Sequence, residues 1–300
     1  MAQKVVFILG PTGVGKTALS VRLAKEFNGE IISSDSVQIY KEFDIGSAKV
    51  TKEEMQGVVH HGIDILSPSQ EFSVFEYIAY ARQKIDEISK RGLLPIIVGG
   101  TGLYVRALIE GYNFGGANKN QEFRAEIEKE IEEKGCDEVF ARLEKLDPLL
   151  ASKTDKFNKV RLVRAMEIAT QGGEKTKQGS NYDSLVFALT TDRETIYQRI
   201  NARAEKMVEE GLIDEVSTLY QKYGFCQPMR AIGYKEVVEF LENKVDKNQM
   251  IEKIKQHTRN YAKRQLTFLR SMPNVKFIDV KTLDEGYESM KLEVKKWIAK

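Results

Sequence analysis

The 300-residue sequence predicts an α/β fold, a parallel sheet flanked by helices with a helical insertion. Three observations carry that expectation. Short apolar runs at 5–9, 30–34 and 93–98 alternate with helix-period segments over residues 1–112, the βαβ pattern of a parallel sheet. A glycine-rich loop separates the first run from the first helix. After Gly111 the chain turns charged and helical, and a strand-like run returns only at 185–189.

The first run, Val5-Val6-Phe7-Ile8-Leu9, reads as a buried strand. Gly10-Pro11-Thr12-Gly13-Val14-Gly15-Lys16-Thr17 follows and matches G-x-x-x-x-G-K-[ST] without mismatch. In this order of strand, loop and helix, the N–H groups of Gly13, Gly15 and Lys16 can point at a phosphate and the helix adds its positive end. Lys16 supplies a point charge, and Thr17 a hydroxyl for Mg²⁺. The loop fits a di- or triphosphate without saying which, so the core is P-loop NTPase-like. The second strand, 30–34, ends at Asp35-Ser36-Val37-Gln38, which places Asp35 at the edge where an open parallel sheet binds ligands. A carboxylate there can ligate a metal through water or take a proton from an acceptor; the plainer alternative is a turn cap. The third strand, 93–98, runs into Gly99-Gly100-Thr101-Gly102. An NTP hydrolase would usually carry an acid there for Mg²⁺, and a hydroxyl flanked by glycines weakens that reading.

A capping box, Ser73-Val74-Phe75-Glu76, opens the clearest helix, and Arg91-Gly92 closes it. Gly115–Asn118 is expected to be a linker. Phe123, Ile127 and Ile131, at i, i+4 and i+8, predict an insertion helix stopping at Gly135, with further helices around 139–146 and 157–170. Residues 172–173 end the last of these, and 173–182 read as a polar loop. The expected organisation is a core of 1–113 with 183–300 and an insertion of 114–182. Helices fill 192–270, and 275–278 is a short strand.

From Lys255 to Arg270 there are five Lys/Arg and no Asp/Glu, with Lys255, Arg259 and Lys263 on one helical stripe. Arg161 and Arg164 share a face in the insertion. Each can be a solvated surface or a phosphate-binding patch. The adjacent His60 and His61 find no partner cluster and read as hydrogen-bonding residues. Tyr220, Tyr223, Phe225 and Trp297 read as packing residues.

Hydrophobic residues make up 42% of the chain, ample for a sizeable core. With 46 basic and 44 acidic residues the net charge is +2, so nucleic-acid binding needs a local patch. Two cysteines, Cys136 and Cys226, provide neither a disulfide framework nor a Cys-rich zinc site. A strand starting near Lys4 leaves no room for a signal peptide, and no run approaches a membrane span, so a cytoplasmic monomer is expected.

The segments 10–17, 35–49 and 95–105 together resemble the tRNA dimethylallyltransferases, also called tRNA isopentenyltransferases. The likeness continues through 60–64 and Phe72-Ser73. It resumes at 161–165, at Arg230-Ala231-Ile232-Gly233-Tyr234, at Thr258-Arg259 and at 262–270, so it spans nearly the whole chain. Two positions depart from the family's pattern. Val160 stands where many members carry Gln, and 112–118 replaces a Pro-rich link. The zinc finger of eukaryotic members has no counterpart, which implies a bacterial-type enzyme.

The resemblance implies a dimethylallyl transfer to the exocyclic amine of an adenine beside the anticodon of tRNA. Gly10, Pro11, Thr12, Gly13, Val14, Gly15, Lys16 and Thr17, with Arg230, would hold the diphosphate of dimethylallyl diphosphate, with Mg²⁺ on Thr17. Asp35 and Thr101 would be catalytic. Asp35, Ser36, Val37, Gln38, Thr101, Arg161, Leu162, Val163, Arg164, Arg259 and Lys263 would meet the tRNA anticodon stem-loop. A small-molecule kinase using ATP at the same loop, a transferase acting on free adenine nucleotide, and a non-catalytic nucleotide- and RNA-binding module remain as alternatives.

Overall fold

The computed structural model describes residues 2–113, 120–171, 176, 177, 179 and 182–300. Its chain divides into two compact units, Met1–Ile109 with Ser180–Lys300, and Glu110–Gly179.

The elements run β1 (Gln3–Leu9), α1 (Lys16–Glu26), β2 (Gly29–Ser33), α2 (Lys52–Met55), β3 (His60–His61) and α3 (Val74–Lys90). Then come β4 (Leu94–Gly99), α4 (Gly102–Ile109), β5 (Tyr112–Asn113), α5 (Gln121–Lys134), α6 (Cys136–Leu146) and α7 (Pro148–Ala151). After α8 (Lys159–Gln171) come β6 (Thr176–Lys177), β7 (Tyr182–Thr190), α9 (Arg193–Glu209) and α10 (Leu212–Tyr223). A 3₁₀ turn at Gln227–Arg230 leads to α11 (Tyr234–Leu241), α12 (Lys247–Arg270), β8 (Val275–Asp279) and α13 (Leu283–Ile298).

The larger unit is built on one six-stranded sheet in the order β3-β2-β4-β1-β7-β8. All its pairings are parallel. The central strands are β-branched and apolar because helices cover both faces: Val5, Val6, Phe7, Ile8, Ile96 and Ile97 are fully buried. One core joins β1, β4 and β7 to α1 and α13 through Leu19, Leu23, Phe187, Met290 and Val294. Since β1, β2 and β4 are adjacent and parallel, the loops after Leu9, Ser33 and Gly99 leave the sheet at one edge. That edge brings together the phosphate loop, Asp35 and Thr101.

Ser73 caps α3 in a full capping box with Glu76, and Arg91 closes it, followed by Gly92 at φ 73°. Trp297 is partly buried against the core and donates from Nε1 to Asp183 at 2.8 Å. His61 meets Glu30 at 2.7 Å, and His60 meets the Val58 carbonyl at 2.9 Å, so both histidines are committed to hydrogen bonds.

The smaller unit holds α5–α8 around Ile127, Ile131, Val139, Leu143, Leu162, Val163 and Met166. Asn120 caps α5, which stops at Gly135. Tyr112–Asn113 pairs antiparallel with Thr176–Lys177, so part of the segment expected as polar loop is a short strand. The expected Gly115–Asn118 linker and the glycine stop at 172–173 lie outside the described residues. No helix among the described residues is long and apolar enough to cross a membrane.

Candidate active site

The phosphate loop joins β1 to α1. Gly15 takes φ 98° at the helix N-cap, a conformation that a residue with a Cβ adopts only under strain. The Val14 side chain is fully buried in the core, so only its backbone can serve an anion. Lys16 lies back along the loop, donating from Nζ to the carbonyls of Gly10 (3.0 Å) and Pro11 (2.8 Å). Burial first, then the charge of Arg203, pulls its amine down to about 8, against the opposing pull of Asp35. That coupling places Asp35 and Lys16 within electrostatic reach of each other.

Two arginines of α9 flank the loop. Arg199 donates to the Gly13 carbonyl (3.2 Å) and Arg203 to the Thr12 hydroxyl (3.3 Å). Sequence reasoning missed both. The signal was their i, i+4 spacing, but nothing local says that α9 returns to the loop.

Asp35 does cap a turn. Its Oδ1 accepts from the N–H groups of Val37 (2.8 Å) and Gln38 (3.2 Å). Its Oδ2 has no partner among the described residues, so the capping role leaves one oxygen available for chemistry. The Gln38 side chain is turned inward, donating to the carbonyls of Ser47 (3.3 Å) and Ala48 (3.0 Å), while Ser36 is exposed. The loop is fixed from outside by Glu215. That carboxylate accepts from the backbone N–H groups of Asp44 (3.1 Å), Ile45 (2.7 Å) and Gly46 (3.1 Å) and from the Tyr234 hydroxyl (2.8 Å).

The third loop packs tightly. A Cβ on Gly99 would run into the Ser34 side chain, and one on Gly100 into the Gln265 amide. Helix α12 lies over this loop with Tyr261, Gln265 and Phe268 on one face, at i, i+4 and i+7. Burial, then the Asp35 charge, pushes the Tyr261 hydroxyl up to about 12, against hydrogen bonds from Thr101 and Gln265. Tyr261 is therefore neutral at any ordinary pH, with its hydroxyl directed at the Gly100 carbonyl (3.5 Å) beside Thr101. A cavity of about 260 Å³ opens here, lined mainly by Leu9, Gly10, Gly100, Thr101, Tyr261 and Phe268, with Arg264 also on its wall.

No cluster of three His, Cys, Asp or Glu side chains suited to a metal occurs among the described residues. This donor set still fits Mg²⁺, which keeps several waters and is held by a few oxygens plus substrate phosphates. Thr17, at the start of α1, is exposed with its hydroxyl uncommitted among the described residues. Arg230 ends the 3₁₀ turn, exposed and without a hydrogen bond or ion pair among the described residues.

The basic patches need correction. Leu162 and Val163 are buried in the core of the smaller unit, so their side chains cannot meet RNA there. Arg164 pairs with Glu167, which also takes Arg124 at 2.7 Å; Arg161 alone of that set is exposed. On α12, Lys255 is tied to Glu205 (2.7 Å) and Glu252 (2.8 Å), and its side chain is only 12% exposed, which removes it from the expected stripe. Arg259 bonds the neutral amides of Asn201 (2.7 Å) and Gln256 (2.8 Å), so its charge is not neutralised. Lys263 and Arg264 are exposed.

A family model described as IPP transferase matches residues 38–272, and one described as isopentenyl transferase matches residues 3–64. The chain is 43% identical over 298 residues to the tRNA dimethylallyltransferase of Oceanobacillus iheyensis, covering 96% of this chain and 95% of that one. It is 47% identical over 289 residues to that of Carboxydothermus hydrogenoformans, covering 93% of each. The crystal structure of the tRNA isopentenylpyrophosphate transferase from Bacillus halodurans superposes with a TM-score of 0.77 at 42% identity, over 99% of this chain and 97% of that one. A eukaryotic dimethylallyltransferase acting on tRNA superposes with a TM-score of 0.84 at 30% identity, over 97% of this chain and 78% of that one. The chain belongs to the tRNA dimethylallyltransferase family, built on a P-loop NTPase-like core.

Proposed function

We propose that this protein transfers a dimethylallyl group from dimethylallyl diphosphate to the exocyclic amine of an adenine next to the anticodon of tRNA, releasing diphosphate. The observation that carries the reading is the convergence of the phosphate loop, an Asp35 oxygen with no partner among the described residues, and Thr101 at one sheet edge. The family's name supports tRNA as acceptor and a dimethylallyl group as the one transferred.

In this reading the diphosphate lies along 10–17, held by backbone N–H groups, by Lys16 and by the positive end of α1. Arg199 and Arg203 border the same loop, and Arg230 is the further cation assigned to the donor. The five-carbon group occupies the largely apolar cavity over Gly100. The carbon–oxygen bond of the donor breaks as the carbon–nitrogen bond forms, and the electron pair leaves on the diphosphate. Lys16 stabilises the negative charge that develops there. Asp35 Oδ2 accepts the proton lost by the amine, while Thr101, oriented by Tyr261, hydrogen-bonds the amine. Mg²⁺, held through Thr17 and the phosphates, would supply further charge neutralisation at the leaving group. The adenine must leave its stack to reach this pocket, at a cost of a few kcal/mol. Arg259, Lys263 and the exposed Arg161 compensate through phosphate contacts. The loop reads phosphates and not a base, so ATP is expected to compete weakly. In this reading the enzyme works in the cytoplasm, and as a monomer.

The test is direct. The protein is incubated with unmodified tRNA, dimethylallyl diphosphate and Mg²⁺, and the digested nucleosides are weighed by mass spectrometry. An adenosine heavier by one dimethylallyl group is expected. ATP consumption with a small acceptor and no such product would overturn the assignment in favour of a kinase.

A further inference from the structure

Gln265 is a buried polar side chain that the chemistry above does not use. Its carboxamide is bonded at both ends. Oε1 accepts from the Thr12 N–H of the phosphate loop (3.2 Å), and Nε2 donates to the Gly100 carbonyl (3.0 Å). One side chain from a distant helix therefore bridges the loop that faces the donor and the loop that carries Thr101. Gly100 makes room for the amide, since a Cβ there would run into its nitrogen. Tyr261, one turn earlier on α12, reaches the same Gly100 carbonyl at 3.5 Å and hydrogen-bonds Thr101.

The Thr12 N–H belongs to a loop whose backbone donors serve anions. A diphosphate oxygen carries formal charge and is a stronger acceptor than a neutral amide oxygen. An anion in the loop therefore competes with Gln265 Oε1 for that donor. If the bond is exchanged, a buried carboxamide loses one of its two anchors, and a buried polar group left unsatisfied is costly enough to force a local adjustment. The other anchor is Gly100, so the adjustment is passed to Gly100 and Thr101.

We propose that Gln265 is a positioning residue that couples occupation of the phosphate loop to the setting of the Gly100-Thr101 loop, so that a bound donor prepares the acceptor side. The inference deepens the transfer reading, relying on it only for the assignment of the two loops to donor and acceptor.

Hydrogen–deuterium exchange of the full chain, with and without saturating inorganic pyrophosphate and Mg²⁺, tests the coupling without tRNA. In the natural protein, peptides covering 10–17 and 99–105 should both change their exchange when pyrophosphate binds. Gln265→Met keeps the volume but makes neither hydrogen bond. Gln265→Glu keeps the acceptor for Thr12 and replaces the donor to Gly100. In both variants the response at 10–17 should persist and that at 99–105 should shrink severalfold. The persisting response at 10–17 also shows that the variant is folded; should Gln265→Met fail that check, Gln265→Glu alone decides. An undiminished response at 99–105 in the folded variants, or none there in the natural protein, would overturn the coupling. Failure of pyrophosphate to bind would overturn both the coupling and the donor assignment. Intact coupling with no prenylated tRNA would remove the activity reading and leave the coupling standing.

Discussion

The sheet edge of the larger unit and the helical core of the smaller unit handle charge in opposite ways. At the edge, groups are held in place but left with spare valence. Asp35 uses one oxygen to cap its turn and keeps the other open, and Lys16 is pulled down to about 8 by burial and Arg203. In the smaller unit, charge is used up internally. Glu167 is 0% exposed. Burial alone would raise its carboxyl, but hydrogen bonds from Arg124, Arg164 and the Asn120 N–H hold it at about 2. A charge whose partners are all supplied by its own fold is structural, and a charge left half-satisfied at a strand end is available for chemistry. Variants on each side can break that contrast.

The largest effect is expected at Asp35. Asp35→Asn keeps Oδ1 as acceptor for the Val37 and Gln38 N–H groups, so the turn survives while the base is lost. Turnover should fall by roughly 10²–10⁴-fold, with tRNA affinity changed only a few-fold. Steady-state kinetics beside a tRNA binding titration separates the two. Near-normal turnover with weakened tRNA binding would make Asp35 a recognition group.

Lys16 comes next. Lys16→Met should weaken pyrophosphate binding by roughly 10–100-fold, the worth of one or two hydrogen bonds to a charged group. The free protein's amine titrates near 8, so it loses its charge as pH rises through that value. Pyrophosphate affinity of the natural protein should therefore decline above pH 8 more steeply than that of the variant, whose remaining pH dependence belongs to the ligand. Calorimetry across pH 6.5–9.5 measures both, and parallel profiles would contradict the role given to Lys16. The stability sign follows from the same shift. The unfolded chain retains this proton up to 10.5, so between 8 and 10.5 the unfolded state binds more protons and the fold gains stability as pH rises.

Glu167 tests the other side. Its folded value of about 2 lies below the ordinary 4.5, so its stabilisation is complete above 4.5 and is lost as pH falls from there towards 2. Glu167→Gln should cost roughly 2–4 kcal/mol, since it leaves Arg124 and Arg164 without their counter-charge. The loss should appear as faster hydrogen exchange in α5 and α8. Pyrophosphate binding should be unaffected.

The same contrast explains what the sequence could disclose. The phosphate loop, Asp35 and the Gly99-Gly100-Thr101 turn were legible because each is a local backbone solution written in contiguous residues at a strand end. The strands themselves were legible because burial on both faces demands unbroken apolar runs. Arg199, Arg203, Tyr261 and Gln265 were not, since their roles depend on α9 and α12 returning to loops roughly 160 to 250 residues away in the chain. Spacing showed that Arg161 with Arg164, and Lys255 with Arg259 and Lys263, share helix faces. It could not show that Glu167, Glu205 and Glu252 meet two of them. Leu162 and Val163 sit inside the matched motif because they fill the core beneath Arg161.

The smallest effects separate the basic residues from one another. Lys263 and Arg259 form no ion pair among the described residues, and removing either should weaken tRNA binding and flatten its dependence on log salt by about one unit. Arg164→Gln should leave that slope almost unchanged, because its guanidinium already serves Glu167. Arg161→Gln should resemble Lys263→Gln, since Arg161 is exposed on the same helix where Arg164 is engaged. Affinities of the four variants at several salt concentrations give the slopes directly. Equal flattening by Arg164→Gln and Arg161→Gln would mean that Arg164 leaves Glu167 when RNA binds, and the smaller unit would then release charge on demand instead of storing it.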